Sequence, residues 1–172
     1  MSVKRDIWML RRVAMCNVLM STAAFAACDD DVTGPDLQSS RVVGGVTYGV
    51  SEFAIAESFP VQLGGTVVLR NESGTTQSVT FPDSCVVLMR AYDAQDTLAW
   101  DLGHVVDCTQ ALVEVNLSPG ESEEFQIGLI SAYTILGENL PDGEYRIALY
   151  LRPNGQTVEL DAGMADLAIP RD

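Results

Sequence analysis

Short runs of alternating apolar and polar residues, broken about every ten positions by turn-forming residues, constrain this chain more than any other feature. Val113, Val115 and Leu117 alternate with Glu114 and Asn116, and Tyr145, Ile147, Leu149 and Leu151 with Arg146, Ala148 and Tyr150. Phe53 pairs with Ile55, Val67 with Leu69, Val79 with Phe81, Val158 with Leu160 and Leu167 with Ile169, while Phe125, Ile127 and Leu129 make a longer row. Cys85, Val87, Met89 and Ala91 are expected on one face of a strand, with Val86, Leu88, Arg90 and Tyr92 on the other. Asn71–Gly74, Asp93–Asp96, Ser118–Glu121 and Pro153–Gly155 have turn composition, and Asp93–Asp96 leads into a strand at Thr97–Trp100. Gly128–Leu140 reads equally as strand, helical turn or long loop. The expectation is an all-β antiparallel sandwich of about seven to nine strands, immunoglobulin-like in that Tyr145, after Asp142-Gly143-Glu144, stands where a tyrosine corner would.

The N-terminus reads as an address. Lys4, Arg5, Arg11 and Arg12 precede an uncharged run from Val13 to Ala27, a basic n-region and an apolar h-region too short to span a bilayer. The run closes Ala24-Phe25-Ala26-Ala27-Cys28, which resembles a bacterial lipobox, so residues 1–27 are expected to be a lipoprotein signal peptide with Cys28 lipidated. Cleavage after Ala24-Phe25-Ala26 would instead release a secreted or periplasmic soluble protein. Residues 28–45, with four Asp, three Gly, one Pro and two Ser, read as an acidic flexible tether, leaving 46–172 as the folded domain.

Export gives the cysteines meaning. With Cys16 in the signal and Cys28 carrying lipid, Cys85 and Cys108 remain as a pair in an oxidising compartment, which predicts a disulfide; two buried thiols are the alternative. A zinc site lacks both CxxC spacing and a second ligand cluster. The whole chain holds 10 basic and 24 acidic residues, a formal charge of −14. Four of the basic residues and one acid lie in residues 1–27, so residues 28–172 carry six basic against 23 acidic residues, a charge of −17. That field repels phosphate backbones and anionic lipid, so no nucleic-acid partner is expected, and membrane contact would come through Cys28 alone.

Asn71-x-Ser73, Thr80–Cys85 (TFPDSC), Tyr92-Asp93, Trp100, Cys108–Ala111 (CTQA), Leu117–Phe125 (LSPGESEEF) and Leu140–Ile147 (LPDGEYRI) resemble, in that order, the BsuPI family. Those are bacterial immunoglobulin-like domains named for an intracellular proteinase inhibitor. The resemblance covers roughly residues 46–169. It implies a non-catalytic domain without cofactor, whose partner is a protein and whose task in an exported form would be inhibition of an extracytoplasmic protease; the domain is expected to be a monomer without a metal. A structural or adhesion-type module docking other envelope proteins is the alternative.

The segments expected to meet a partner are Gly103–Gln110, with His104, Val105 and Val106, and Gly128–Leu140, with Leu129, Ile130, Tyr133 and Ile135. His104 has no motif-borne nucleophile and reads as a surface residue. Asp93, Asp96, Asp101 and Asp107 lack calcium-loop spacing and read as solvated loop acids. Trp100 is expected in the core or against the disulfide, and Tyr92 and Tyr150 on the face opposite the core, as rim packing or contact surface.

Overall fold

The computed structural model describes residues 36–56 and 58–171. The expected signal peptide, Cys28 and most of the expected tether therefore lie outside the described residues. Among the described residues ten strands form: β1 (Ser39–Val43), β2 (Val46–Ala56), β3 (Gln62–Asn71), β4 (Gln77–Phe81), β5 (Leu88–Tyr92), β6 (Leu98–Asp101), β7 (Val113–Leu117), β8 (Ser122–Ser131), β9 (Gly143–Leu151) and β10 (Val158–Leu167). A short helix, α1 (Ala132–Leu136), follows β8, and single 3-10 turns occupy Leu102–His104 and Pro153–Gly155. Every paired strand runs antiparallel.

One sheet has the order β1-β2-β3-β8, the other β10-β9-β5-β6, and β4 pairs with β7 in a two-stranded ribbon. The inner faces meet in one core containing Val50, Leu63, Val67 and Leu69 from the first sheet and Met89, Ala91, Ile147, Leu149 and Leu151 from the second. Gly65 makes that approach possible: a Cβ there would lie 2.8 Å from Leu149 Cδ1. The all-β sandwich expected from the alternation is thus present, with ten strands instead of about seven to nine.

Three local differences have clear causes. Residues 39–43, given to the tether by composition, form β1 along β2, and Gln38 N–H donates to Val50 O at 2.8 Å. The hairpin turns at Gly44 and Gly45, both with positive φ, as a two-residue turn between valines demands. The strand expected from Cys85 starts only at Leu88, because Cys85 is tied into the Asp83 turn through its N–H to Asp83 Oδ1 at 3.0 Å. Gly128–Leu140 is all three things its composition allowed: the end of β8, then α1 capped by Ser131 Oγ, then a turn.

The predicted turns are hydrogen-bonded together. Asn71, fully buried, donates through Nδ2 to Thr75 O (2.7 Å) and Leu117 O (2.9 Å) and accepts at Oδ1 from Ser73 N (2.9 Å) and Ser73 Oγ (2.7 Å). Its backbone meets the second turn through Glu121 O and Gly120 N. Tyr145 donates to Pro141 O at 2.8 Å, four residues back, which is the bond of a tyrosine corner.

Candidate functional site

The segment from Leu102 to Leu112 leaves the second sheet after β6, and both of its ends are fixed. At the start, Asp101 is buried and its Oδ1 accepts from Gly103 N–H (2.9 Å) and from the Tyr150 hydroxyl (2.7 Å), while Oδ2 takes Arg90 Nε (2.8 Å). Glycine is required at 103, since a Cβ there would lie 2.5 Å from the Tyr150 hydroxyl. At the far end, Cys108 is joined to Cys85 by a disulfide with Cα atoms 5.6 Å apart. Thr109 and Ser84 add a reciprocal pair: Ser84 N–H donates to Thr109 O and Thr109 N–H to Ser84 Oγ, both at 3.1 Å. Between these anchors Gly103–Asp107 are exposed, Val105 at 54% and Val106 at 37%, and Leu112 beyond them at 69%.

The two segments nominated from sequence meet in one place. Val106 from the first and Gly128 and Ile130 from the second line a groove of about 340 Å³, floored by Cys85, Leu88, Leu102 and Phe125. Leu129 and Tyr133 are exposed but outside that groove. Ile135 does not belong to any contact surface: it is 2% exposed and part of the core, because α1 turns it inward beside Ala132 and Leu136. His104 is exposed and makes no hydrogen bond among the described residues.

The outer face of the second sheet corrects two expectations. Tyr150 is buried, not a contact residue, because the 3-10 turn at Leu102–His104 folds over it. Asp101 is likewise no solvated loop acid. A chain of polar contacts runs outward from them: Arg90 stacks 4.0 Å over the Tyr150 ring and also meets Glu159 (2.8 Å), which accepts from the Tyr92 hydroxyl (2.7 Å). Arg146 stacks 4.1 Å over Tyr92 and pairs with Asp96 at 2.6 Å. Burial opposes the charged form of Asp101, yet the hydrogen bonds from Tyr150, Arg90 and Gly103 outweigh it and hold the carboxyl below its usual 3.8. The Tyr150 phenol is pushed up to about 12 by burial and by its bond to Asp101.

The candidate acids do not converge. Asp101 is committed to Arg90 and Asp96 to Arg146, while Asp93 Oδ1 accepts from Gln95 N and Thr97 N at 2.9 Å as a turn residue. Asp83, Cys85 and Cys108 form the one metal-sized cluster among the described residues. Its sulfurs are joined to each other and Asp83 Oδ2 holds Arg152 at 2.6 Å, so the donor set does not fit an ion. Trp100 is half-buried against the core, opposite Ala91 in the β5–β6 pair. No helix among the described residues is long and apolar enough to cross a membrane.

No protein-family model matches the chain, and no curated protein matches it.

Proposed function

We propose that this chain is a non-catalytic binding domain, exported and held on a bacterial envelope by lipid on Cys28, that inhibits an extracytoplasmic protease through the segment Gly103–Leu112. The observation that carries the reading is the double anchoring of that segment. The Asp101–Tyr150–Arg90 cluster holds one end, and the Cys85–Cys108 disulfide with the Ser84–Thr109 bonds holds the other. A loop ordered before binding loses little entropy when it enters a cleft. Exposed Val105 and Val106 offer apolar side chains to it. The resemblance of the ordered motifs to the BsuPI family supports the same reading.

An adhesion-type or structural module is the second reading, favoured by β8. That strand pairs only with β3 among the described residues, and its uncharged stretch Ile127–Ile130 leaves an open sheet edge. Residues 36–172, oxidised, titrated into subtilisin-class and trypsin-class proteases with a chromogenic peptide, separate the two. Stoichiometric inhibition lost on Val105→Asp or on Cys85→Ser supports the inhibitor. Absence of inhibition by a domain that survives undigested rejects it for those proteases and leaves docking through β8, read by loss of envelope cross-links in Leu129→Lys.

A further inference from the structure

A second concavity lies at the end of the sandwich where the β1–β2 hairpin, β4 and the Pro153–Gly155 turn come together, with a volume of about 320 Å³. It shares no residue with the groove beside Val106. No acidic or basic side chain lines it, although the chain as a whole is strongly acidic. Its polar side chains are instead the Tyr48 phenol, the carboxamides of Gln77, Asn154 and Gln156, and the Ser78 hydroxyl, which donates to Glu114 Oε1 at 3.3 Å, set among the apolar surfaces of Val43, Val79 and Pro153.

Tyr48 is the informative residue. It is 1% exposed, yet its hydroxyl has no hydrogen-bond partner among the described residues. Every fully buried side-chain oxygen or nitrogen described does have one, so this hydroxyl keeps an opening, and Tyr48 is one of the residues that line the concavity. A phenol so enclosed is costly to leave unpaired, and it has a donor and an acceptor to offer. Burial pushes it up to about 12, so it stays protonated and keeps its donor.

Two of the three amides around it are oriented by their other bonds. Asn154, with φ of 50°, uses Oδ1 to accept from Thr80 N (3.0 Å) and Thr80 Oγ1 (2.9 Å), which leaves Nδ2 as an unused donor among the described residues. Gln77 spends Nε2 on Ser73 Oγ (2.9 Å) and Thr75 Oγ1 (3.3 Å), which leaves Oε1 as an acceptor. The Gln156 carboxamide is exposed and makes no hydrogen bond among the described residues.

We propose that this pocket binds a neutral polyhydroxylated ligand, a hexose unit free or within a glycan, with the Tyr48 hydroxyl and the Asn154, Gln77 and Gln156 amides bonding to its hydroxyls. Asn154 Nδ2 as donor, Gln77 Oε1 as acceptor and the Tyr48 hydroxyl as both meet the donor and acceptor needs of sugar hydroxyls, and the apolar patches suit the C–H face of a sugar ring. The pocket offers no cation to an anionic ligand, and the surrounding field repels one.

The test uses the full chain, 15N-labelled, with glucose, galactose, mannose and N-acetylglucosamine, then the β-1,4-linked trimer of N-acetylglucosamine, and glucuronate as the charged counterpart. The expected result is saturable amide shifts confined to Gly44, Gln77, Asn154 and Gln156 with at least one neutral sugar, and none with glucuronate. Tighter binding of the trimer than of the monomer would identify a glycan as the source, and equal binding a free sugar. Tyr48→Phe, which keeps the ring in the core, and Gln156→Ala should each weaken binding by about three- to tenfold with an unchanged circular dichroism spectrum. Absence of site-confined shifts with every neutral sugar, equal shifts from glucuronate, or affinities untouched by both substitutions would each overturn the proposal. Protease inhibition is independent of this outcome, since the titration reads a different set of residues.

Discussion

Asn71 shows how one side chain can hold together features far apart in sequence. Its carboxamide and backbone join the turn after β3 to the end of β7 and to the turn before β8. Asn71→Ala would strand Leu117 O and remove the Ser73 turn, and should lower unfolding stability by about 2–3 kcal/mol in urea. A loss below about half a kilocalorie would show that water takes over those bonds. Asp101 makes a pH-dependent counterpart. Its folded-state pKa lies below the unfolded value near 3.8, so its contribution is present above that pH and is lost as pH falls through the lowered folded value. Asp101→Asn should therefore be less stable than wild type at about pH 7, and the gap should narrow as the pH falls below the unfolded value of 3.8. A gap of equal size at both pH values would mean that shape, not charge, sets the effect.

Elements were legible in proportion to how local their causes are. The strands around Val79, Val115 and Ile147 and the four turns were written in alternation and turn composition, because one buried face and one wet face impose a period of two. The β1 strand was hidden, since Ser-Ser-Arg-Val-Val carries no such period and the residues before it, Gly34, Pro35 and Asp36 among them, have turn and loop composition; only Gly44-Gly45 between valines signals the hairpin. Leu88 and Tyr150 alternate as outer-face residues should, yet both are buried by a 3-10 turn that arrives from outside their strands. The pocket at Tyr48 was illegible for the same reason: its lining comes from segments between residues 43 and 156 that only the fold assembles. The anchored segment was the more readable site, because Cys108 marks it. In the chain-entropy account, closing 23 residues through Cys85–Cys108 contributes about 3 kcal/mol. Replacing both cysteines with serine should cost about that much in denaturant, and should open Gly103–Leu112 to cleavage under native conditions before the sheets unfold. Protection of that segment unchanged by the substitution would assign its order to Asp101 and Thr109 alone.

At the scale of the whole molecule the charge distribution makes its own demand. Residues 36–172 hold 20 acidic residues and six arginines. Five of those arginines already sit within ion-pair distance of a carboxylate: Arg70 with Glu72, Arg90 with Asp101 and Glu159, Arg146 with Asp96, Arg152 with Asp83 and Arg171 with Asp142. Most of the remaining acids among the described residues are therefore in none of these pairs, and folding draws them together against their mutual repulsion. Salt acts on both terms. The half-exposed pairs contribute little in water and lose little on screening, whereas repulsion among many carboxylates is a long-range sum that screening removes efficiently once the Debye length falls to about 10 Å. The Arg90–Asp101 pair, with Asp101 buried, is shielded from the added ions. The melting temperature should accordingly rise by a few degrees between about 0.01 M and 0.1 M sodium chloride and then level off. A fall over that range would mean that the arginine pairs, and not the excess of acids, dominate the electrostatics of the folded domain.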